Sequence, residues 1–130
     1  MAFLTFSNLY PIGRAGLASL FLLGGINKLS SFTPTLQKVA EGGLHPPLFF
    51  LSGTILIELG LGLALAFGTR FAPAAALGLA AFTLATNAIF HRFWELSGEL
   101  AALELSLFFK NVAISGALLA VAAVEKERGN

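Results

Sequence analysis

The chain has 130 residues, 56% of them hydrophobic and 12% charged, with a net charge of +1 and a mean hydropathy of +0.82. A soluble domain carries roughly 25% charged residues, so this chain has too little polar side chain to wet a globule of its size, and the bilayer is its natural solvent. Near-neutral charge with no basic aromatic patch argues against nucleic acid, and the absence of cysteine excludes disulfides, dithiol chemistry and thiolate metal ligation by this chain.

In chain order, the first apolar run covers about residues 11–29, with Pro11 suited to a first helical turn. No positive charge precedes Arg14, and Gly24-Gly25-Ile26-Asn27-Lys28 offers no small-x-small cleavage site, so a permanent span is expected rather than a cleaved signal. Arg14 and Lys28 lie roughly 21 Å apart along such a helix, less than the hydrocarbon thickness of about 30 Å. Each must snorkel to an interface or find a partner inside. Residues 33–42, between the start signal Thr33-Pro34 and the stop Gly42-Gly43, are too few to span and read as a short interfacial helix. His45-Pro46-Pro47 follows as a rigid corner, with His45 read as a loop residue.

Further spans are expected at about 47–68, 71–91 and 103–124. Arg70 marks the turn between the second and third, Trp94 is placed as an interfacial anchor, and residues 125–128 read as a solvated tail. Small residues at four-residue spacing, Gly60, Ala64 and Gly68 in the second span and Ala74, Gly78 and Ala81, Ala85 in the third, mark expected helix contacts. The expected fold is therefore an all-α, four-transmembrane-helix bundle with an interfacial helix between the first two spans, one membrane domain over 1–130. Four cations (Arg14, Arg70, Lys126, Arg128) against three (Lys28, Lys38, Arg92) place both termini in the cytoplasm.

The chemistry of such a bundle rests on its few buried polar groups. Glu58 stands near the middle of the second span, where an acid costs on the order of 3 kcal/mol against a gain of about 0.5 for each Leu or Ile. It shares a stripe with Thr54 and Gly62, which are expected to face the interior. Lys110, about two turns into the fourth span, is the expected partner by depth, with Asn111 beside it. Thr83, Asn87 and His91 fall on one face of the third span, and Asn27-Lys28 closes the first. Glu58, Lys110, Asn87, His91, Asn111, Asn27 and Lys28 are thus the pocket candidates, and Arg14, Trp94 and Arg70 the structural anchors. No serine has an acid–base partner at usable spacing, and no metal motif or phosphate loop occurs. The competing reading makes the same polar groups structural ties that fix helix register.

Several segments together resemble the DoxX family: Arg14 followed by Phe21-Leu22-Leu23-Gly24-Gly25-Ile26-Asn27-Lys28-Leu29, then Gly43-Leu44-His45-Pro46, Glu58-Leu59-Gly60, Phe90-His91-Arg92-Phe93-Trp94 and Lys110-Asn111. The resemblance covers about residues 10 to 125. It implies a small four-helix protein of the bacterial inner membrane. The family is named for a subunit linked to a quinol oxidase and to thiosulfate–quinone oxidoreduction, and some members are described as membrane partners of enzymes handling sulfur or oxidative stress. No cofactor is then expected in the chain itself, but a quinone fits the pocket chemistry. A quinone head needs hydrogen-bond donors at its carbonyls and a proton route, and lysine, asparagine, histidine and a carboxylate can supply them. Besides the lipid, the expected partner is another membrane or membrane-associated protein, or a second copy. The alternative function is a non-catalytic assembly subunit of a larger membrane complex, and a conventional carrier is disfavoured because no internal repeat or pair of broken helices occurs.

Overall fold

The computed structural model describes residues 2–129. Its helices are α1 (Phe6–Ser30), α2 (Phe32–Glu41), α3 (Pro47–Ala66), α4 (Ala72–Phe90) and α5 (Gly98–Gly129), with a single 3-10 turn at Phe93–Glu95. No strand occurs among the described residues, and α1, α3, α4 and α5 are long and apolar enough to cross a membrane. With every spanning segment helical, its backbone groups are satisfied within the segment, as lipid demands.

Each spanning helix buries one narrow stripe. On α1 it comprises Tyr10, Arg14, Leu17, Phe21, Gly25 and Lys28, and on α3 Leu51, Ile55, Glu58, Gly62 and Leu65. On α4 it comprises Ala72, Ala76, Leu79, Thr83 and Asn87, and on α5 Glu104, Phe108, Asn111, Ser115, Leu118, Ala122 and Glu125. Alternating steps of three and four residues keep such a stripe facing its neighbours along the whole helix. The chain order α1–α3–α4–α5 runs around the bundle, with α2 laid against α3. Ala18, Phe21, Leu65, Ala76, Leu79, Ala80, Leu118, Val121 and Ala122 form the main core, in the half that holds the termini.

Two glycines end helices by the same device. Gly43 (φ 86°) follows α2 and Gly68 (φ 60°) follows α3. In each case the next two amides fold back, Gly43 N–H to Ala40 and Leu44 N–H to Val39, and Gly68 N–H to Leu65 and Thr69 N–H to Ala64. This left-handed cap satisfies carbonyls that would otherwise be orphaned and favours a residue without Cβ. Leu44 and Val39 pack in the small cluster under α2, completing the cap's apolar contact.

Helix ends differ from the sequence expectation in a physically informative way. Helix α1 starts at Phe6, so Pro11 lies inside it, where the carbonyl of Ser7 loses its helical donor close to the helix end. Helix α5 begins at Gly98, before the expected start of the fourth span near 103, and runs to Gly129, absorbing the expected tail. The small-residue stripes also turn. Gly60, Ala74, Ala81 and Ala85 face outward, whereas Gly25, Gly62, Ala72, Ala75, Ala76 and Ala80 are buried. Four-residue spacing selects a face but does not say which neighbour it meets.

Candidate functional site

In the half of the bundle away from the termini, the helices line an open cavity of about 530 Å³. Phe21, Leu51, Phe82 and Phe90 give it an apolar wall, and Lys28, Lys38, Glu58, Thr83, His91, Glu104 and Asn111 project polar groups into its lining. Convergence of a few polar groups on a mostly apolar concavity is the usual form of a small-molecule site.

Glu58 is 5% exposed. Its partner is Lys28, whose Nζ lies 2.7 Å from Oε1, and not Lys110. Lys110 is exposed on the outside of α5, as is Asn27 on α1. The reason is angular: neighbouring helical residues point about 100° apart, so Asn111 on the buried stripe sends Lys110 away from it. Lys28 stands in the last turn of α1, with its side chain 30% exposed, so it joins the buried acid to the membrane surface. At that distance the contact is a charge-assisted pair between α1 and α3. Thr83 Oγ1, on the opposite wall, is buried with no hydrogen-bond partner.

The approach of α1 to this acid depends on Gly24 and Gly25. A Cβ on Gly24 would stand 2.5 Å from Glu58 Oε2, and one on Gly25 would stand 2.7 Å from Leu59 Cδ2.

His91 Nδ1 lies 2.6 Å from Glu104 Oε2, joining α4 to α5 at the cavity. Asn87, on the same face of α4 and almost wholly buried, donates from Nδ2 to the carbonyl of Phe108 at 3.0 Å. Its Oδ1 accepts from Asn111 Nδ2 at 3.1 Å, which holds Asn111 in the lining. Asn87 is thus a positioning residue, tied to α5 and not to Glu58. Trp94 is 56% exposed and packs edge-on against Phe93 and Phe108. Arg70 is exposed, with its guanidinium 4.8 Å from the Phe71 ring centre.

Of the two outcomes open to Arg14, snorkelling or an inward partner, the structure has the second. Its Nη1 donates to Glu125 Oε1 at 2.6 Å, and Tyr10 Oη donates to the same oxygen at 3.2 Å. Glu125, read from the sequence as tail, is 6% exposed and closes α5 onto α1. Sequence reasoning also missed Glu104 and Lys38 as lining residues. The signal for both glutamates was present: extending the 111–115–118 stripe by the same steps reaches Glu104 in one direction and Glu125 in the other. Lys38 had no such signal, because its place depends on how α2 folds back.

The family model described as DoxX matches residues 9–92, from α1 to just beyond α4. Two relatives from Escherichia coli strain K12 align over most of the chain. Inner membrane protein YphA is 29% identical over 111 residues, covering 85% of this chain and 79% of that protein. Inner membrane protein YqjF is 35% identical over 113 residues, with the same shares covered. No solved structure gives a significant match.

Proposed function

The chain belongs to the DoxX family of integral membrane proteins, and from that premise we propose that its cavity binds the head of a quinone, making the protein the membrane subunit of a quinone-linked redox or oxidative-stress system. The observation that carries this reading is Thr83 Oγ1, buried without a hydrogen-bond partner, beside the Lys28–Glu58 ion pair on a cavity otherwise walled by Phe and Leu. A buried polar atom without a partner costs about 1–3 kcal/mol, and a ligand that supplies the missing partner recovers it. A quinone head suits the lining in three respects. Its ring is planar and apolar, its two carbonyls accept from Lys28, His91 or Asn111, and Glu58 and Glu104 supply carboxylates for proton exchange. Without cysteine, this chain does not itself run thiol redox chemistry, so the electron donor belongs to a partner.

Trp94, the one tryptophan, provides the test. It touches Phe108, one turn from Glu104, so a quinone in the cavity quenches its fluorescence. In zwitterionic nanodiscs, quenching by a short-chain quinone should saturate and be reversed by the non-quenching quinol. Glu58→Gln and Lys28→Met should weaken it at least tenfold. Linear, non-saturable quenching equal in parent and variants would mean that the quinone only dissolves in lipid, and the reading would fail.

A second reading, a non-catalytic assembly subunit, is favoured by one observation. Ala74, Ala81 and Ala85 turn a small-residue face of α4 outward, where a helix of another chain can approach closely. Native mass spectrometry on protein released gently from its membrane separates the two, since a stoichiometric partner protein supports assembly and a lone chain carrying a quinone mass supports the pocket. In either case the inner membrane is the proposed location, as in the names of both E. coli relatives, and the cations gathered at the end with the termini favour the cytoplasmic side for that end.

A further inference from the structure

The opposite end of the bundle holds a second cleft, of about 440 Å³, that has no part in the quinone reading. Arg14, Arg70, Lys126 and Arg128 line it, with Glu125 as the one acid among the lining residues. Four cations against one carboxylate leave a local charge of +3, on a chain whose total is +1. Glu125 is already taken by Arg14 and Tyr10, so it neutralises nothing else. Arg70, Lys126 and Arg128 have no carboxylate within ion-pair distance among the described residues.

These cations are also held in place. The Arg128 guanidinium sits 5.1 Å from the Tyr10 ring centre and 5.9 Å from that of Phe6, and Arg70 sits 4.8 Å from that of Phe71. Stacking on rings restricts a long side chain and lowers the entropy it loses on binding. Arg14 forms the floor, against the turn after α3. A Cβ on Gly68 would overlap its guanidinium, so glycine there both takes the left-handed conformation and makes room for the cation. The cleft brings together α1 near its start, the start of α4, the last turns of α5 and the turn after α3, at one end of the spanning helices. Phosphate is the anion that suits arginine best, through planar, forked donors.

We propose that this cleft binds a phosphate-bearing anion, the headgroup of an acidic phospholipid or a soluble phosphate compound. The shared chemistry is one phosphate gripped by Arg70 and Arg128 over Arg14. The experiment uses the full-length protein in a neutral detergent. Native mass spectrometry follows titration with short-chain phosphatidylglycerol and with phosphatidylcholine, and the melting temperature is followed with inorganic phosphate against equal chloride. A lipid site retains phosphatidylglycerol at least tenfold better than phosphatidylcholine. A soluble-phosphate site shows no such lipid preference but a rise in melting temperature with phosphate. In either case the effect must be lost in the Arg70→Gln/Arg128→Gln variant and kept in Lys110→Gln, which removes an exposed cation elsewhere. Both arginines are exposed, so the double variant keeps its fold, as helicity will verify. No preference and no shift, or equal binding by the double variant, overturns the proposal.

Discussion

Glu58 and Lys28 do not lose the same thing when they are parted. Glu58 is buried near the middle of α3 on a short side chain. Lys28 stands at the end of α1 on a long stem and reaches the interface by a change of rotamer. Removing the lysine therefore strands a charge, whereas removing the acid leaves a cation that can solvate itself. Lys28→Met should lower bundle stability by about 3 kcal/mol, the loss typical of leaving a buried charge unpaired. Glu58→Gln should cost about 1 kcal/mol, because the amide keeps the shape and a hydrogen-bonding oxygen. Lys110→Met should fall within about 0.5 kcal/mol of the parent, as exposed substitutions do. Loss of helical packing in a dodecyl sulfate titration measures all three. A Lys110→Met loss as large as that of Lys28→Met would mean that the acid is paired across the bundle with α5.

At the scale of elements, helices that look alike in sequence are separated by their neighbours. Gly25 and Gly60 both sit inside apolar helices, but a Cβ on Gly25 meets Leu59 Cγ at 2.8 Å and one on Gly60 meets nothing within 4 Å. Gly25→Ala should destabilise by about 1–3 kcal/mol, the usual cost of overfilling a packed contact. Gly60→Ala should be neutral or mildly stabilising, since alanine favours the helix by up to about 1 kcal/mol. The same titration decides it, and equal effects at both sites would show that α1 does not pack on α3 at Gly25. This contrast also marks how far the sequence is legible. Hydropathy and length locate four spans, because lipid enforces continuous apolar helices. Glu58, Asn87, His91, Asn111 and Lys28 are visible as misfits in such helices, and all lie in the inward stripes or at the cavity. What cannot be read is pairing. Lys28 and Lys110 are both at plausible depth for Glu58, and only the rotation of α1 and α5 about their axes chooses between them. Glu125 was missed for a related reason: hydropathy sees a charged tail, whereas the stripe of α5 carries that residue inward for another turn.

For the molecule as a whole, the two ends are electrically unlike, and that difference bears on how it sits in the membrane. The end with the termini gathers Arg14, Arg70, Lys126 and Arg128, while the other has Lys28, Lys38 and Arg92. Counting charges from sequence gives a narrow margin, but burial widens its meaning. Lys28 is engaged with Glu58 and Lys38 lines the cavity, and Lys110 lies within the span of α5, so Arg92 is the one exposed cation in a connection on that side that stands outside the pocket among the described residues, and even it leans on Glu95 at 3.3 Å. Arg70, Lys126 and Arg128 are all exposed and free of carboxylates among the described residues. Cations of this kind resist translocation and are attracted to the anionic cytoplasmic leaflet by about 1 kcal/mol each. Three against one should therefore hold the termini in the cytoplasm. A fluorescent protein fused after the last residue should fold and fluoresce there, and a periplasm-dependent phosphatase at the same place should stay inactive. Arg70→Gln with Arg128→Gln should shift part of the population to the reverse orientation, raising the phosphatase signal. A phosphatase already active on the parent chain would invert the assignment and place the cavity with Glu58 and His91 on the cytoplasmic side.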